Sequence, residues 1–316
     1  MASRDTATTK KIKSPMRKRE AKWFYIFILP WILGFFLFTF FPMAMSAVLS
    51  FMKWDYVQAP RFVGWENFIT LFHDDVFYKS LQVTIIYAVF SVPLSLLVSF
   101  IFALLLNTGI KGLSVYRTLF YLPSLVSGAA ASILWMWMFN PEFGVINTIL
   151  GYFGIDGPGW IYDKNWALPA LIIMSLWGVG GSMLIYLSGL QGIPTELYEA
   201  AKIDGAGKAT TLFKITIPMM TPVIFYNLIM GIIGSLQTFT QAFVMTDGGP
   251  NYSTYFYVLY LYKNAFKNFK IGYASAQAWI LFFIILALTA LVFRSSAAWV
   301  YYENETNTRK KGGKKK

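Results

Sequence analysis

Between Gln191 and Pro218 the chain gathers side chains suited to gripping another molecule: Glu199-Ala200-Ala201, then Asp204-Gly205, then Ile215-Thr216-Ile217-Pro218. The carboxylates of Glu199 and Asp204 can accept paired hydrogen bonds from an incoming arginine, and the alanines beside them let a foreign surface come close. That is the chemistry of recognition. Groups for bond-making are scarce. The chain has no Cys and a single His, His73, which excludes thiolate nucleophiles, thiolate zinc sites, disulfide frameworks and His-dependent triads within it. Gly205-Ala-Gly207-Lys208 imitates part of a phosphate-binding loop, but such a loop needs Gly at 202 and Ser or Thr at 209, where the chain has Lys202 and Ala209, and no strand leads into it. No ATP site, metal site or cofactor is therefore expected in this chain.

The elements around these residues follow from composition. After the turn residue Pro194, residues 195–203 have helical composition, with Leu197, Ala200, Ala201 and Ile203 spaced as one small apolar face. Asp204 to Gly207 breaks that helix, and Gly205 suits a positive-φ C-cap. A second helix, about 208–216, should lead to Pro218 in the first turn of an apolar span, where the missing N–H costs nothing. On residue types alone the stretch reads equally as a docking knob or as an ordinary amphipathic connector.

What it connects is apolar. Hydrophobic residues are 56% of the 316 and charged residues 13%, against about 25% charged in a soluble domain, and the mean hydropathy is +0.52. A crossing helix needs about 20 mostly apolar residues, and six runs qualify: 24–51, 81–106, 115–139, 167–190, 218–238 and 275–293. The first is too long for the apolar core of a signal peptide and lacks a small-residue cleavage site, so it reads as a retained anchor. Orientation follows from Lys and Arg. With residue 1 on the inner side, the N-terminal segment, the 107–114 turn, the 191–217 connector, the C-terminal tail and their flanks (Arg117 and Arg294) hold 20 of the 27 basic residues; Lys53, Arg61, Lys79, Lys164, Lys263, Lys267 and Lys270 fall outside. Seven acids lie inside and eight outside, so the net charge is +13 inside and −1 outside. The expected fold is an all-α, multi-pass integral membrane protein with six transmembrane helices and both termini cytoplasmic: a basic tail over 1–22, a membrane domain over 23–297 and a basic tail over 298–316. The formal charge of +12 thus faces anionic lipid, and nucleic acid is excluded as a partner. Trp135 and Trp137 read as interfacial anchors. No full charge sits at mid-membrane depth, which argues against a proton pump, a voltage sensor or an ion-coupled carrier with a buried carboxylate.

The spacing of the connector is specific. Glu199-Ala200-Ala201, three residues, Gly205, nine residues, then Ile215-Thr216-Ile217-Pro218 resembles the EAA motif of ABC-importer permease subunits, departing only by Ile for Leu at 217. Phe62-Val-Gly-Trp-Glu-Asn-Phe68, Tyr121-Leu-Pro123, Phe143-Gly-Val-Ile-Asn147, Gln191-Gly-Ile-Pro194 and Thr246-Asp-Gly-Gly-Pro250 resemble the carbohydrate-importing branch, so the likeness spans most of the chain. A large insertion typical of one branch of large subunits is missing, since 52–80 holds only 29 residues.

This resemblance implies the type I importer permease fold in a bacterial or archaeal cytoplasmic membrane. It implies a second homologous permease, two cytoplasmic ATPase subunits that carry ATP and Mg, and an extracytoplasmic solute-binding protein delivering a sugar, an oligosaccharide by preference. Glu199, Ala200, Ala201, Asp204, Gly205, Ile215 and Pro218 become the ATPase-coupling residues. The family keeps its substrate site in the third to fifth spans, where the candidates are Ser124, Ser127, Trp177, Gly178, Gly181, Asn227, Gln237, Phe239, Thr240 and Gln241. Taken singly, each reads more readily as helix–helix packing or hydrogen bonding, with Gln237 and Gln241, one turn apart, the best cluster. A glycerol-3-phosphate importer is the alternative, although no basic residue lies mid-span to meet a phosphate. A membrane enzyme or a channel is a more distant one, because neither clustered acids nor a filter segment is present.

Overall fold

The computed structural model describes residues 15–108 and 112–301. Most of both expected basic tails (1–14 and 302–316) and the centre of the 107–114 turn lie outside the described residues.

Among the described residues, four helices are long and apolar enough to cross a membrane: Lys22–Leu49, Asp75–Leu106, Lys208–Met245 and Ile271–Trp299. The other two expected spans are not single helices. Leu113–Leu125 and Gly128–Met138 meet at 98°, and Ala167–Gly178 and Gly180–Gln191 at 47°. The six expected spans are thus four long helices and two bent pairs. The first break has a local cause. Pro123 has no N–H to extend the ladder, Val126 and Ser127 are extended, and the Ser127 hydroxyl then caps a new helix by accepting from the Ala130 N–H at 3.4 Å. At the second break Leu176–Gly178 tightens into a 3-10 turn before Gly180 restarts the helix.

Two prolines are absorbed without a break. A π-helical turn, Phe36–Phe40, precedes Pro42, and another, Leu212–Thr216, precedes Pro218. In each case the carbonyl four residues before the proline, which its ring would strike, lies in the widened turn. This corrects the separate helix expected over 208–216, because the helix runs on through Pro218.

Two apolar layers hold the bundle. One, at the end away from the connector, includes Phe77, Tyr87, Trp135, Phe139, Trp160, Phe256 and Tyr257. The other, beside the connector, includes Leu106, Met183, Tyr186, Leu190, Ile193 and Met220. Trp135 is 7% exposed and packs against Phe139 and Trp177, so it is core, whereas Trp137 is 52% exposed. The difference is helical phase: residues two apart on a helix point to different sides.

The end away from the connector is tied by Asp74. Its Oδ1 caps the helix Asp75–Leu106 by accepting from the Val76 N–H at 2.9 Å, and its Oδ2 accepts from the hydroxyls of Tyr260 and Tyr273, the latter at 2.5 Å. Burial pushes the Asp74 pKa up, but the two phenol hydrogen bonds and the Val76 and Phe77 N–H groups outweigh it and leave it below the ordinary carboxylate value. A lowered folded-state pKa means that the link is intact above the ordinary value and is lost as pH falls through the lower one. Asp74→Asn is expected to lower the thermal midpoint of the purified protein, at a cost of about 1 kcal/mol after solvent screening. An unchanged midpoint would show that the tyrosines hold this end without it.

Candidate functional site

The two apolar layers do not meet. Along three helices the order is the same: apolar, polar, apolar. On Asp75–Leu106 the polar interval is Tyr87, Ser91 and Ser95; around the bend at Val179 it is Ser175 and Ser182; on Lys208–Met245 it is Asn227, Ser235, Thr238 and Gln241. These intervals face one another across a cleft of about 370 Å³. The bend at Val179 and the irregular residues Gln237–Phe239 stand beside it, where helix breaks free backbone groups that lipid could not satisfy.

Every lining side chain is uncharged. The Gln241 amide donates to the Tyr87 hydroxyl at 3.5 Å, and Tyr87, 3% exposed, is wedged edge-on against Phe256. The Asn227 amide donates to the Val223 carbonyl at 2.9 Å, which leaves its own carbonyl oxygen as an acceptor. The cleft can therefore both donate and accept hydrogen bonds to a neutral polar solute, with nothing in it to neutralise a phosphate or carboxylate.

Of the substrate-path candidates, Gly178, Asn227 and Gln241 line this cleft. The other seven lie elsewhere. Ser127 caps its helix, and the Ser124 hydroxyl donates to the Tyr121 carbonyl at 2.7 Å. Trp177 packs on Trp135, and Phe239 stacks on Phe243. Thr240 sits against Gly128, Gly181 has open space beside it, and Gln237 is exposed where the helix ends. That ending is why Gln237 and Gln241 do not share a face: the turn separating them is not helical, and Thr238 enters the cleft instead. The polar stripe of the second helix was the signal overlooked, since Tyr87, Ser91, Ser95 and Ser99 recur every four residues in an otherwise apolar run. Ser99, the last, is satisfied by its own helix.

At the other end the connector forms the helix Thr195–Ile203. It ends in a Schellman motif: the Gly205 N–H donates to the Lys202 carbonyl at 3.1 Å and the Ala206 N–H to the Ala201 carbonyl at 2.8 Å, with Gly205 at φ +74°. The apolar face expected here divides. Ala201 is buried, and Tyr198, outside the expected face, shares a hydrogen bond with Thr216 across 3.2 Å that pins the helix to the π-turn. Glu199, Ala200, Ile203 and Asp204 face outward, Ile203 at 86% exposed, while Ile215 and Pro218 are half-buried in the helix that follows. An apolar tip between two carboxylates is thus presented by a rigid mount.

Residues 77–302 match the family model described as binding-protein-dependent transport system inner membrane component. The probable ABC transporter permease protein YesP of Bacillus subtilis (strain 168) is 44% identical over 286 residues, covering 89% of this chain and 92% of that protein. The sn-glycerol-3-phosphate transport system permease protein UgpA of Shigella flexneri is 32% identical over 290 residues, covering 90% and 97%. Among solved structures, a chain of a bacterial alginate ABC transporter, captured with an alginate pentasaccharide-bound periplasmic protein, shares the fold with a TM-score of 0.79 at 22% identity, over 89% of this chain and 96% of that one. A chain with apolar helices that cross a membrane, two bent crossings around a polar cleft and a connector mounted on the bundle belongs to the family of binding-protein-dependent transport system inner membrane components, the permease subunits of ABC transporters.

Proposed function

We propose that this chain forms one half of the translocation pathway of an ATP-driven sugar importer, and that the cleft between Tyr87, Ser182, Asn227 and Gln241 is its share of the solute path. The uncharged, hydrogen-bonding lining of that cleft, held between two apolar layers, carries the reading. It suits polyhydroxylated neutral solutes and gives a phosphate no cation, which weighs against glycerol 3-phosphate as the cargo.

The rest of the assembly follows from family membership and charge. The chain crosses the membrane six times with both termini cytoplasmic, the tails 1–22 and 298–316 flanking the membrane domain 23–297. It pairs with a second, homologous permease so that two such clefts face each other. Two cytoplasmic ATPase subunits, which bind the ATP and Mg, receive the connector residues Glu199, Ala200, Asp204 and Gly205. An extracytoplasmic solute-binding protein loads the path. ATP binding moves the helices only as far as it favours one state over the other, and the connector transmits that preference because Tyr198 and Thr216 join it to the helix that lines the cleft.

The test is ATPase stimulation and uptake by the reconstituted complex with its binding protein, across a panel of glycans and glycerol 3-phosphate. Neutral oligosaccharides should stimulate, and Gln241→Ala should reduce uptake about tenfold through loss of a buried hydrogen-bonding group while assembly is kept. Stimulation by glycerol 3-phosphate alone would overturn the sugar reading, and undiminished uptake in Gln241→Ala would remove this cleft from the path.

A further inference from the structure

One helical position over from Tyr87, Ser91 and Ser95, a second stripe descends the same helix: Lys79, Gln82, Ile86, Phe90, Leu94. It is matched by Lys164 and Asn165 in the turn that leads into the helix Ala167–Ser175, then by Leu168, Ile172 and Ile173 on that helix. Each side thus presents a lysine and an amide at one end and apolar side chains below. Between them lies a groove of about 500 Å³. We propose that this groove holds an anionic phospholipid, its phosphate between Lys79 and Lys164 and an acyl chain along Ile86, Phe90 and Leu94. The outer leaflet is the relevant one, which rests on the orientation assigned from charge.

Charge and length both favour this occupant. Lys263 and Lys267 pair with Asp247 at 3.0 and 3.5 Å. Lys79 and Lys164, by contrast, have no carboxylate within 4.0 Å among the described residues. Asp163, next to Lys164, spends its Oδ1 on the Asn165 N–H at 2.7 Å, and Asp75, one turn before Lys79, stays out of range. Two ammonium groups at the mouth of an apolar groove complement a phosphodiester above hydrocarbon. From Lys79 to Leu94 is about 22 Å of helix, and one leaflet of hydrocarbon is roughly 15 Å. A headgroup held at the lysines therefore brings its chain alongside Ile86, Phe90 and Leu94. A partner helix seated in the groove would instead have to supply acids to the same two lysines.

The whole transporter complex, placed in nanodiscs of phosphatidylcholine with a minor share of phosphatidylglycerol, tests this by native mass spectrometry of retained lipid. Phosphatidylglycerol should be retained preferentially. Lys79→Gln and Lys164→Gln should each weaken retention roughly fivefold while sugar-stimulated ATPase activity is kept. Glycerol phosphate without acyl chains should displace nothing. Equal retention in the double variant, or displacement by glycerol phosphate, would overturn the proposal. Because this chain has no cysteine, Phe90→Cys supplies a single reporter within it: its protection from a lipid-phase maleimide in discs lacking phosphatidylglycerol would mean that another helix covers the groove, and the proposal would fail. Lipid retention and maleimide protection do not depend on which solute is carried.

Discussion

Gly205→Val is expected to cut binding-protein-stimulated uptake by about tenfold or more while the transporter still assembles. Gly205 stands at φ +74° with nothing within 4 Å of where a Cβ would project, so the obstacle to a side chain is the backbone conformation and not a clash. A β-branched residue held there costs about 1–2 kcal/mol, enough to shift the turn and with it the two N–H groups that close the Schellman motif. Relaxing that turn re-aims the exposed side chains of Ile203 and Asp204 at the helix end, while Tyr198 and Ala201 keep the rest of the helix seated on the bundle. Gly205→Asn should retain most activity, because Asn tolerates the left-handed region. Uptake in proteoliposomes, read beside co-purification of the ATPase, separates coupling from assembly. If Gly205→Val transports like the parent protein, the connector does not carry the coupling. Glu199→Lys, which reverses an exposed charge without touching the fold, should likewise lose uptake and keep assembly.

Gly180→Ala is expected to cause a large loss of folded protein. A Cβ at Gly180 would lie 2.5 Å from the Phe120 carbonyl oxygen and 2.8 Å from the Tyr121 Cα. Both are backbone atoms, so no rotamer change relieves the contact, and the helices must separate at a cost of about 1–3 kcal/mol. Since this contact sets the bend beside Val179, the cleft opens with it. Gly181→Ala is the control, because nothing lies within 4 Å of its Cβ position. Yield of monodisperse complex and its thermal midpoint should fall for Gly180→Ala and stay level for Gly181→Ala. Equal behaviour of the two would mean that the close approach does not constrain the bend.

These residues also mark what could be read in advance. Gly205 was legible because its role is local: a helix of known composition ends, and a residue free to take positive φ follows. The spacing from Glu199 to Pro218 identified the connector for the same reason, and the apolar runs identified the crossing segments because hydrocarbon demands length and little else. Gly180 was not legible. Its importance lies in the carbonyl of Phe120, sixty residues away in sequence, and nothing near Gly180 announces that neighbour. Nor did the apolar count reveal that the third and fourth crossings bend, since Ser127 and Val179 interrupt hydrogen bonding without interrupting hydrophobicity.

The substrate path divides along the same line. Gln241 and Asn227 drew attention as amides in apolar surroundings, whereas Gln237 drew it equally and faces away, because the irregular turn at 237–239 rotates the chain between them. Tyr87, Ser91 and Ser95 form a stripe that was there to be seen, but whether a serine stripe meets a cleft or a neighbouring helix depends on what packs opposite. By itself the sequence determined that this chain is a membrane protein of the permease family, where its apolar helices fall and where its connector lies, because these depend on solvation and on spacing within one helix. Only the tertiary structure decided that three polar intervals from distant helices share one cleft and that Ala201 turns inward while Ala200 turns out. Such pairings are set by helix phase and close backbone contact between segments far apart in the chain.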